Sequence, residues 1–269
     1  MILAADPPAA STTLATALTV AAYLLATLPA APERRWPLQA LVAAWGLQAL
    51  VLVSDAWPGA DGLPGLRIGF APVLSLTVWL VIAIHGLESR MLPVPRLRRT
   101  LAATGAVAAA LAWIFPGELH VVAHSHWAPL HWLLGLCSYG LFGAAVLHAL
   151  LLDNAERRLR RGIGTGSGTF GVPLMRLERL TFRFVEAGFV VLTLALALGL
   201  SSAYWRWDHK TVLSLLGWAT LAALLIGRRV RGWRGHLATR WLYAGALLLL
   251  LAYVGSRFVL EVVLQRAAG

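Results

Sequence analysis

The sequence predicts an all-α polytopic membrane protein with about eight transmembrane helices and both termini outside the cytoplasm. Hydrophobic residues make up 59% of the 269 residues and charged residues 13%, whereas soluble domains carry about 25% charged residues. A spanning helix needs about 20 mostly apolar residues, and eight stretches approach that length. They cover residues 11–31, 38–56, 68–87, 100–115, 130–152, 184–203, 211–226 and 241–264.

The distribution of Arg and Lys predicts which links face the cytoplasm. The links after the first, third, fifth and seventh stretches hold 18 of the 23 basic residues, and the other links with both termini hold five. Short cytoplasmic links are enriched in Arg and Lys, so these four links are expected on the cytoplasmic side of a bacterial inner membrane. The formal charge of +11 is therefore a topology signal, and no nucleic-acid partner is predicted.

The chain is predicted to be one integral membrane helical domain, residues 1–269, with a cytoplasmic linker at about residues 153–183. The linker opens with a charged helical continuation and later resumes as an amphipathic helix with Leu174, Leu177 and Leu180 at helical spacing. Between them, residues 166–171 fit the letters of a dinucleotide-binding turn. That motif needs a strand before it in a βαβ unit, so a flexible linker is expected instead.

The histidines separate by depth once this topology is assumed. His131 and His209, with three further histidines, are expected near the outer surface, whereas His85 and His148 are expected near the cytoplasmic surface as an inner pair. The three further outer histidines are His120, His124 and His126. Zinc is the alternative metal that those three histidines could ligate. Pro116, Gly117 and Pro129 predict an irregular link there, which disfavours a helical pair of zinc ligands. Neither HExxH nor G-x-S-x-G occurs, and no enzymatic activity is predicted.

The outer histidines lie in links that also carry aromatic and cationic residues. Trp205, Trp207, His209 and Lys210 fall within one short outer link, and His131 stands at the outer mouth of the fifth stretch. Haem suits such a shelf because its iron takes axial His, its macrocycle stacks on aromatic rings and its propionates pair with cations. A simple interfacial belt of Trp residues is the alternative, and the residues alone leave both open.

His131 is the candidate axial ligand of the haem iron. The second nitrogen of such a ring can be oriented by a neighbouring oxygen. Ser138 lies about 10 Å further along the helix, so this oxygen is expected to come from the outer loops.

Five ordered blocks of sequence resemble the cytochrome c assembly protein family, in its CcsA/HemX-like part and nearest to the YpjD-type inner membrane proteins. The likeness covers most of the chain and is densest from residue 130 to residue 264. The blocks are HWLLGLCSY at residues 131–139, PLMRLER at 173–179, DHKTVLSLLGW at 208–218, RGWRG at 231–235 and LAYVGSRFV at 251–259.

This resemblance implies a haem-handling membrane protein. Members present haem for attachment to apocytochrome c outside the membrane, from a Trp-rich outer loop flanked by outer histidines. His131 matches the first outer histidine, and residues 205–210 match a shorter version of the loop. The implied cofactor is haem, with b type as the candidate, and another assembly factor or transporter is a possible partner.

An alternative of a different class is a non-catalytic partner or regulator of another membrane protein or transporter, with haem chemistry lost. Gln48 in the second stretch suggests this alternative, because related proteins often have a buried histidine at that position. The inner pair, His85 and His148, is a candidate haem site on the cytoplasmic side if the third and fifth stretches pack together, and snorkelling side chains near helix ends are its alternative.

Reporter fusions test the predicted orientation. Fusions after Ser167 and after Lys210 should report opposite sides of the membrane, with the first in the cytoplasm, because the basic links alternate along the chain. Alkaline phosphatase and green fluorescent protein activity at each point give the measurement. Two fusions that report the same side would contradict the eight-span arrangement.

Overall fold

The computed structural model describes residues 10–31, 34–56, 65–89, 95–121, 127–162, 174–200 and 207–264. The contacts between residues divide the chain into two units. Unit 1 comprises Met1–Ala128 with Val254–Gly269, and unit 2 comprises Pro129–Tyr253. Each unit is described on its own.

Unit 1 contains four long helices and a short ribbon. The first two helices pack along each other, and the first also packs on the fourth. In chain order the elements are α1 (Ala10–Thr27), α2 (Trp36–Ala56), β1 (Gly65–Ile68), α3 (Phe70–Ser89), α4 (Pro95–Ile114) and β2 (Glu118–Val121).

Unit 2 contains the other four long helices. They are α5 (Ala128–Arg160), α6 (Leu174–Leu200), α7 (His209–Arg231) and α8 (Gly235–Leu250). The last helix then continues as a π-helical stretch, Leu251–Gly255, a short α9, Ser256–Phe258, and a second π-helical stretch, Val259–Val263. Its residues from Val254 onward belong to unit 1. The predicted helical extensions of the long linker are confirmed, since α5 runs to Arg160 and α6 begins at Leu174, while residues 163–173 lie outside the described ranges.

All eight predicted apolar stretches coincide with helices, and six of these helices are long and apolar enough to cross a membrane. The apolar part of α1, Thr12–Thr27, is shorter than that. The first turns of α4 carry Arg96, Arg98 and Arg99, which lowers its mean hydropathy. The six helices are Trp36–Ser54, Phe70–Glu88, Pro129–Arg160, Leu174–Leu200, His209–Arg231 and Gly235–Val263. The count of eight spans and the orientation of the termini stay predictions.

A two-stranded antiparallel ribbon replaces part of a link that the sequence analysis expected to be irregular. Strand β1 pairs with β2 so that Gly65 lies opposite Val121 and Ile68 opposite Glu118. A Cβ on Gly69 would lie 2.8 Å from the Cα of Gly117, so the two segments approach closely where neither has a side chain. Pairing satisfies backbone groups that would otherwise need other partners, which is the physical reason for the correction.

The core of unit 2 forms where α5, α6, α7 and α8 meet. Helices α7 and α8 come especially close at two glycines, because a Cβ on Gly217 would lie 3.3 Å from the carbonyl oxygen of Gly245 and 2.9 Å from Leu249. Small residues at a crossing allow such an approach in membrane bundles. The buried apolar residues are Phe142, Ala145, Ala149, Phe182, Val185, Leu192, Leu221, Leu224, Ala238, Leu242 and Leu249.

The RGWRG block forms the tight connection between α7 and α8. Gly232 ends α7 in the left-handed region at a φ of 66°, and its N–H donates to the carbonyl of Gly227. The Trp233 ring then lies against Gly227, where a Cβ would collide with it. Glycine is the residue that tolerates this C-cap conformation, so the block fixes the turn.

A buried polar cluster joins three elements of unit 1. The Tyr23 hydroxyl on α1 donates to Oε1 of Gln48 on α2, and Nε2 of Gln48 donates to Oγ of Ser75 on α3 at 2.8 Å. All three side chains are buried. Trp45 and Trp79 add a second joint between α2 and α3, with rings stacked at 4.7 Å and each indole N–H donating to the other's carbonyl.

Replacing Gln48 with alanine should destabilise unit 1. The substitution leaves the buried Tyr23 and Ser75 hydroxyls without their partner, and an unsatisfied buried polar group costs about 1–3 kcal/mol. Thermal unfolding in mild detergent measures the loss. Gln39→Ala, at an exposed position on the same helix, is the matched control, and equal unfolding temperatures for the two variants would contradict the role of the cluster.

Candidate functional site

His131 lies in the first turns of α5 and is anchored to α6. Its Nδ1 lies 2.8 Å from the carbonyl oxygen of Ala195, and the side chain is half-buried. A carbonyl oxygen only accepts hydrogen bonds, so Nδ1 carries the proton and donates it. In the neutral ring the lone pair then belongs to Nε2, which is the arrangement that a metal-ligating histidine uses.

A glycine one turn further along α6 makes room for this ring. A Cβ on Gly199 would lie 3.2 Å from Cε1 of His131, closer than a side chain there could comfortably sit. The oxygen that orients the ring therefore comes from a helix. The sequence analysis expected it to come from the outer loops, and that expectation is wrong. Ser138 donates to the carbonyl of Gly135 in its own helix. Ala195 and Gly199 are the backing residues that sequence reasoning missed, and their small-xxx-small spacing was the available signal.

The start of α7 carries three more of the predicted site residues. Trp207 precedes the helix with 75% of its surface exposed, His209 is exposed at the first helical position, and Lys210 is half-buried at the second. Trp205 lies outside the described residues. His131 contacts the last turns of α6, and α7 begins nine residues after α6 ends, so the described candidates lie at the same end of unit 2.

Asp208 caps this helix. Its Oδ1 accepts a hydrogen bond of 2.9 Å from the backbone N–H of Thr211, as an N-cap aspartate does. Partial burial by itself raises the pKa of the Asp208 carboxyl, but the hydrogen bonds from Thr211 and the charges of Lys210 and His209 outweigh it and hold that pKa below its usual range. The ionised cap therefore fixes where His209 and Lys210 stand.

The two inner histidines belong to different units. His85 is buried on α3 of unit 1, three residues before Glu88. His148 is buried on α5 of unit 2, where its Nδ1 lies 2.8 Å from the carbonyl oxygen of Ala144 and its ring lies 5.4 Å from that of Phe184. That carbonyl again leaves Nε2 as the acceptor nitrogen of a neutral ring. Their joint action as an inner pair stays a prediction.

Sequence reasoning also missed a buried carboxylate near the C-terminal end of α5. Asp153 accepts hydrogen bonds from Oγ1 of Thr239 at 3.0 Å and from the Tyr243 hydroxyl at 2.9 Å. Both donors belong to α8, so the carboxylate joins two helices. Nearby, Arg228 of α7 donates to Glu178 of α6 at 3.0 Å and lies over the ring of Phe182.

The zinc alternative gains no support within the part of the chain that the structure describes, where no group of three His, Cys, Asp or Glu residues could hold a metal ion. His120 lies in β2, and His124 and His126 lie outside the described ranges.

The comparisons with known proteins agree with the resemblance read from the sequence. The family model of the cytochrome C assembly protein matches residues 67–264. The chain is 30% identical over 241 residues to the inner membrane protein YpjD of Escherichia coli strain K12, across 86% of this chain and 88% of that protein. It is 26% identical over 222 residues to a cytochrome c biogenesis protein CcsA of Prochlorococcus marinus, across 69% of this chain and 70% of that protein.

No solved structure matches the chain. The match to the family model covers well over half of the sequence, and it includes His131, the Asp208 cap and the connection between α7 and α8. Six apolar helices and the Escherichia coli relative indicate a multi-pass protein of the inner membrane. This chain is a member of the cytochrome c assembly protein family.

Proposed function

We propose that this protein binds haem at the His131 end of unit 2 and handles it during the assembly of c-type cytochromes. The observation that carries the proposal is the anchored His131 ring. Its Nδ1 bond to the carbonyl of Ala195 directs the proton away from Nε2, and a fixed, neutral imidazole is a strong axial ligand for haem iron. The relative named as a cytochrome c biogenesis protein supports the same function.

The residues around His131 suit haem in their chemistry. His131 would hold the iron, Trp207 and Trp205 would offer aromatic faces for the macrocycle, and Lys210 with His209 would pair with the propionates. Bound haem, with b type as the candidate, would supply the macrocycle that is presented for attachment to an apocytochrome. The protein's own part is to orient the imidazole through Ala195 and to keep the cations in place through the Asp208 cap.

The second candidate function is a partner or regulator of another membrane protein that no longer carries haem. It is supported by Gln48, whose side-chain amide is occupied by Tyr23 and Ser75. At this position the chain uses a structural joint instead of a ligand. The visible spectrum of the wild-type protein separates the two functions, because a Soret band of stoichiometric intensity requires bound haem and its absence after haem supplementation favours the partner function.

Replacing His131 with alanine should abolish or shift the Soret band of the protein purified with haem, and added imidazole should restore part of it. The loss follows from removal of the axial nitrogen, which free imidazole can replace.

Gly199→Val should weaken haem binding about 10–100-fold, because the new side chain would displace the His131 ring. A loss of this size is the usual cost of disturbing a group that orients a metal ligand.

Leu133→Ala is the matched control for both variants, since Leu133 is an exposed apolar residue on the same part of α5. It should leave the spectrum unchanged. Identical spectra for wild type and His131→Ala would remove the axial-ligand assignment and leave the partner function as the better explanation.

The histidines of the inner pair are tested one at a time. If His148 or His85 takes part in haem uptake, replacing that residue with alanine should lower the haem occupancy of the folded protein. Because each ring is buried in its own unit, folding has to be measured beside occupancy. Haem-to-protein ratio and elution from a sizing column give the two measurements. Unchanged occupancy in both variants would dismiss an inner site and leave two packed structural histidines.

A further inference from the structure

A groove opens in unit 2 at the end opposite to His131. It has a volume of about 560 Å³ and lies among the C-terminal end of α5, the N-terminal part of α6 and the connection before α8. Its walls combine charge with apolar surface, since Arg160 and Arg234 stand beside Leu159 and Met175. The complete lining is Glu156, Leu159, Arg160, Met175, Glu178, Arg234, Gly235 and His236.

Both carboxylates in this lining already have structural positions. Glu178 forms an ion pair with Arg228 at 3.0 Å. The carboxylate oxygens of Glu156 would lie 3.5 and 3.8 Å from a Cβ on Gly235, the first residue of α8. The positive end of the helix dipole stabilises an anion there, and Arg234 provides no side-chain cap to that helix. Arg160 and Arg234 are therefore the groove's available cations, and both are exposed.

The groove lies in a strongly basic end of the unit. Residues 153–162, 174–183 and 227–240 contain twelve arginines against three carboxylates. At such a density the surface attracts anions such as acidic lipid headgroups. The arginines are Arg157, Arg158, Arg160, Arg161, Arg176, Arg179, Arg183, Arg228, Arg229, Arg231, Arg234 and Arg240.

Exposed apolar residues accompany several of these arginines along the chain. Met175 in the groove wall is 65% exposed, and Val230, between Arg229 and Arg231, is 77% exposed. Ile226, one turn earlier on α7, is also exposed. Apolar side chains of this size belong in hydrocarbon, whereas guanidinium groups snorkel to the level of the headgroups. The groove therefore combines exposed cations with an exposed apolar side chain.

We propose that this groove binds one anionic phospholipid of the phosphatidylglycerol class. The lipid phosphate lies between Arg160 and Arg234, whose planar guanidinium groups suit bidentate contact with phosphate oxygens. An acyl chain follows the apolar wall formed by Leu159 and Met175. Basic pockets between transmembrane helices hold acidic headgroups in this way, and the site is independent of haem binding at the other end of the unit.

Lipid competition on the full-length protein tests the proposal. The protein in mild detergent is mixed with equal amounts of phosphatidylglycerol and phosphatidylcholine, and the lipids that stay bound are counted by native mass spectrometry. Wild type should retain phosphatidylglycerol with a preference of about tenfold, because both lipids carry the phosphate but only phosphatidylcholine adds a cationic choline group, which the two guanidinium groups repel. Arg160→Gln combined with Arg234→Gln should remove that preference.

The matched control is Arg158→Gln combined with Arg229→Gln, which removes the same charge at two exposed positions outside the groove lining. It should keep the preference. An equal loss in the control and the groove variant would mean diffuse surface attraction and overturn the site, as would equal retention of the two lipids by wild type. A loss of the Soret band with lipid retention unchanged would assign the groove to haem instead.

Arg160→Lys combined with Arg234→Lys covers the case in which the glutamine variant does not fold. This variant keeps both charges and loses the bidentate fork, so the amount of phosphatidylglycerol that it retains should fall several-fold below that of wild type. Retention equal to that of wild type would overturn the assignment to these two guanidinium groups.

Discussion

A polar group inside a bilayer has to find its hydrogen-bond partner within the protein, and this requirement fixes where the helices of each unit meet. In unit 1 the amide of Gln48 satisfies one hydroxyl on α1 and another on α3. In unit 2 the carboxylate of Asp153 receives two hydroxyls from α8. The same rule anchors His131 to a carbonyl of α6. The candidate ligand is therefore held by the same kind of interhelical hydrogen bond that joins the helices.

The helices and the residue types of the candidate site were predictable, whereas contacts between distant segments were not. Each apolar stretch is close to the length that a bilayer demands, and a histidine near a helix end beside a Trp-rich link can be read directly. The ribbon of β1 and β2 depends on the approach of Gly69 to Gly117, which are distant in sequence. The partner of His131 is a backbone carbonyl, a group that every residue possesses. How α5 packs on α6 decides which carbonyl it is, and periodicity alone does not specify that packing.

The sequence blocks shared with the family have different physical roles. Gly232 and Trp233 in RGWRG form a turn, with the ring placed over Gly227. Asp208 in DHK closes the backbone at the start of α7. The turn and the cap therefore belong to the scaffold, whereas His131, in the first block, carries the nitrogen that we propose as an iron ligand.

The two π-helical stretches in the last helix change the direction in which its side chains point. Each accommodates an extra residue, and one residue rotates an α-helix by about 100°. Arg257 lies between them and is buried in unit 1, 3.9 Å from the carboxylate of Glu118. A deletion of one residue from Leu251–Gly255 would restore regular α-helical winding and change by about 100° the direction of the side chains that follow it, Arg257 among them. Chain length in this segment is thus as constrained as its composition.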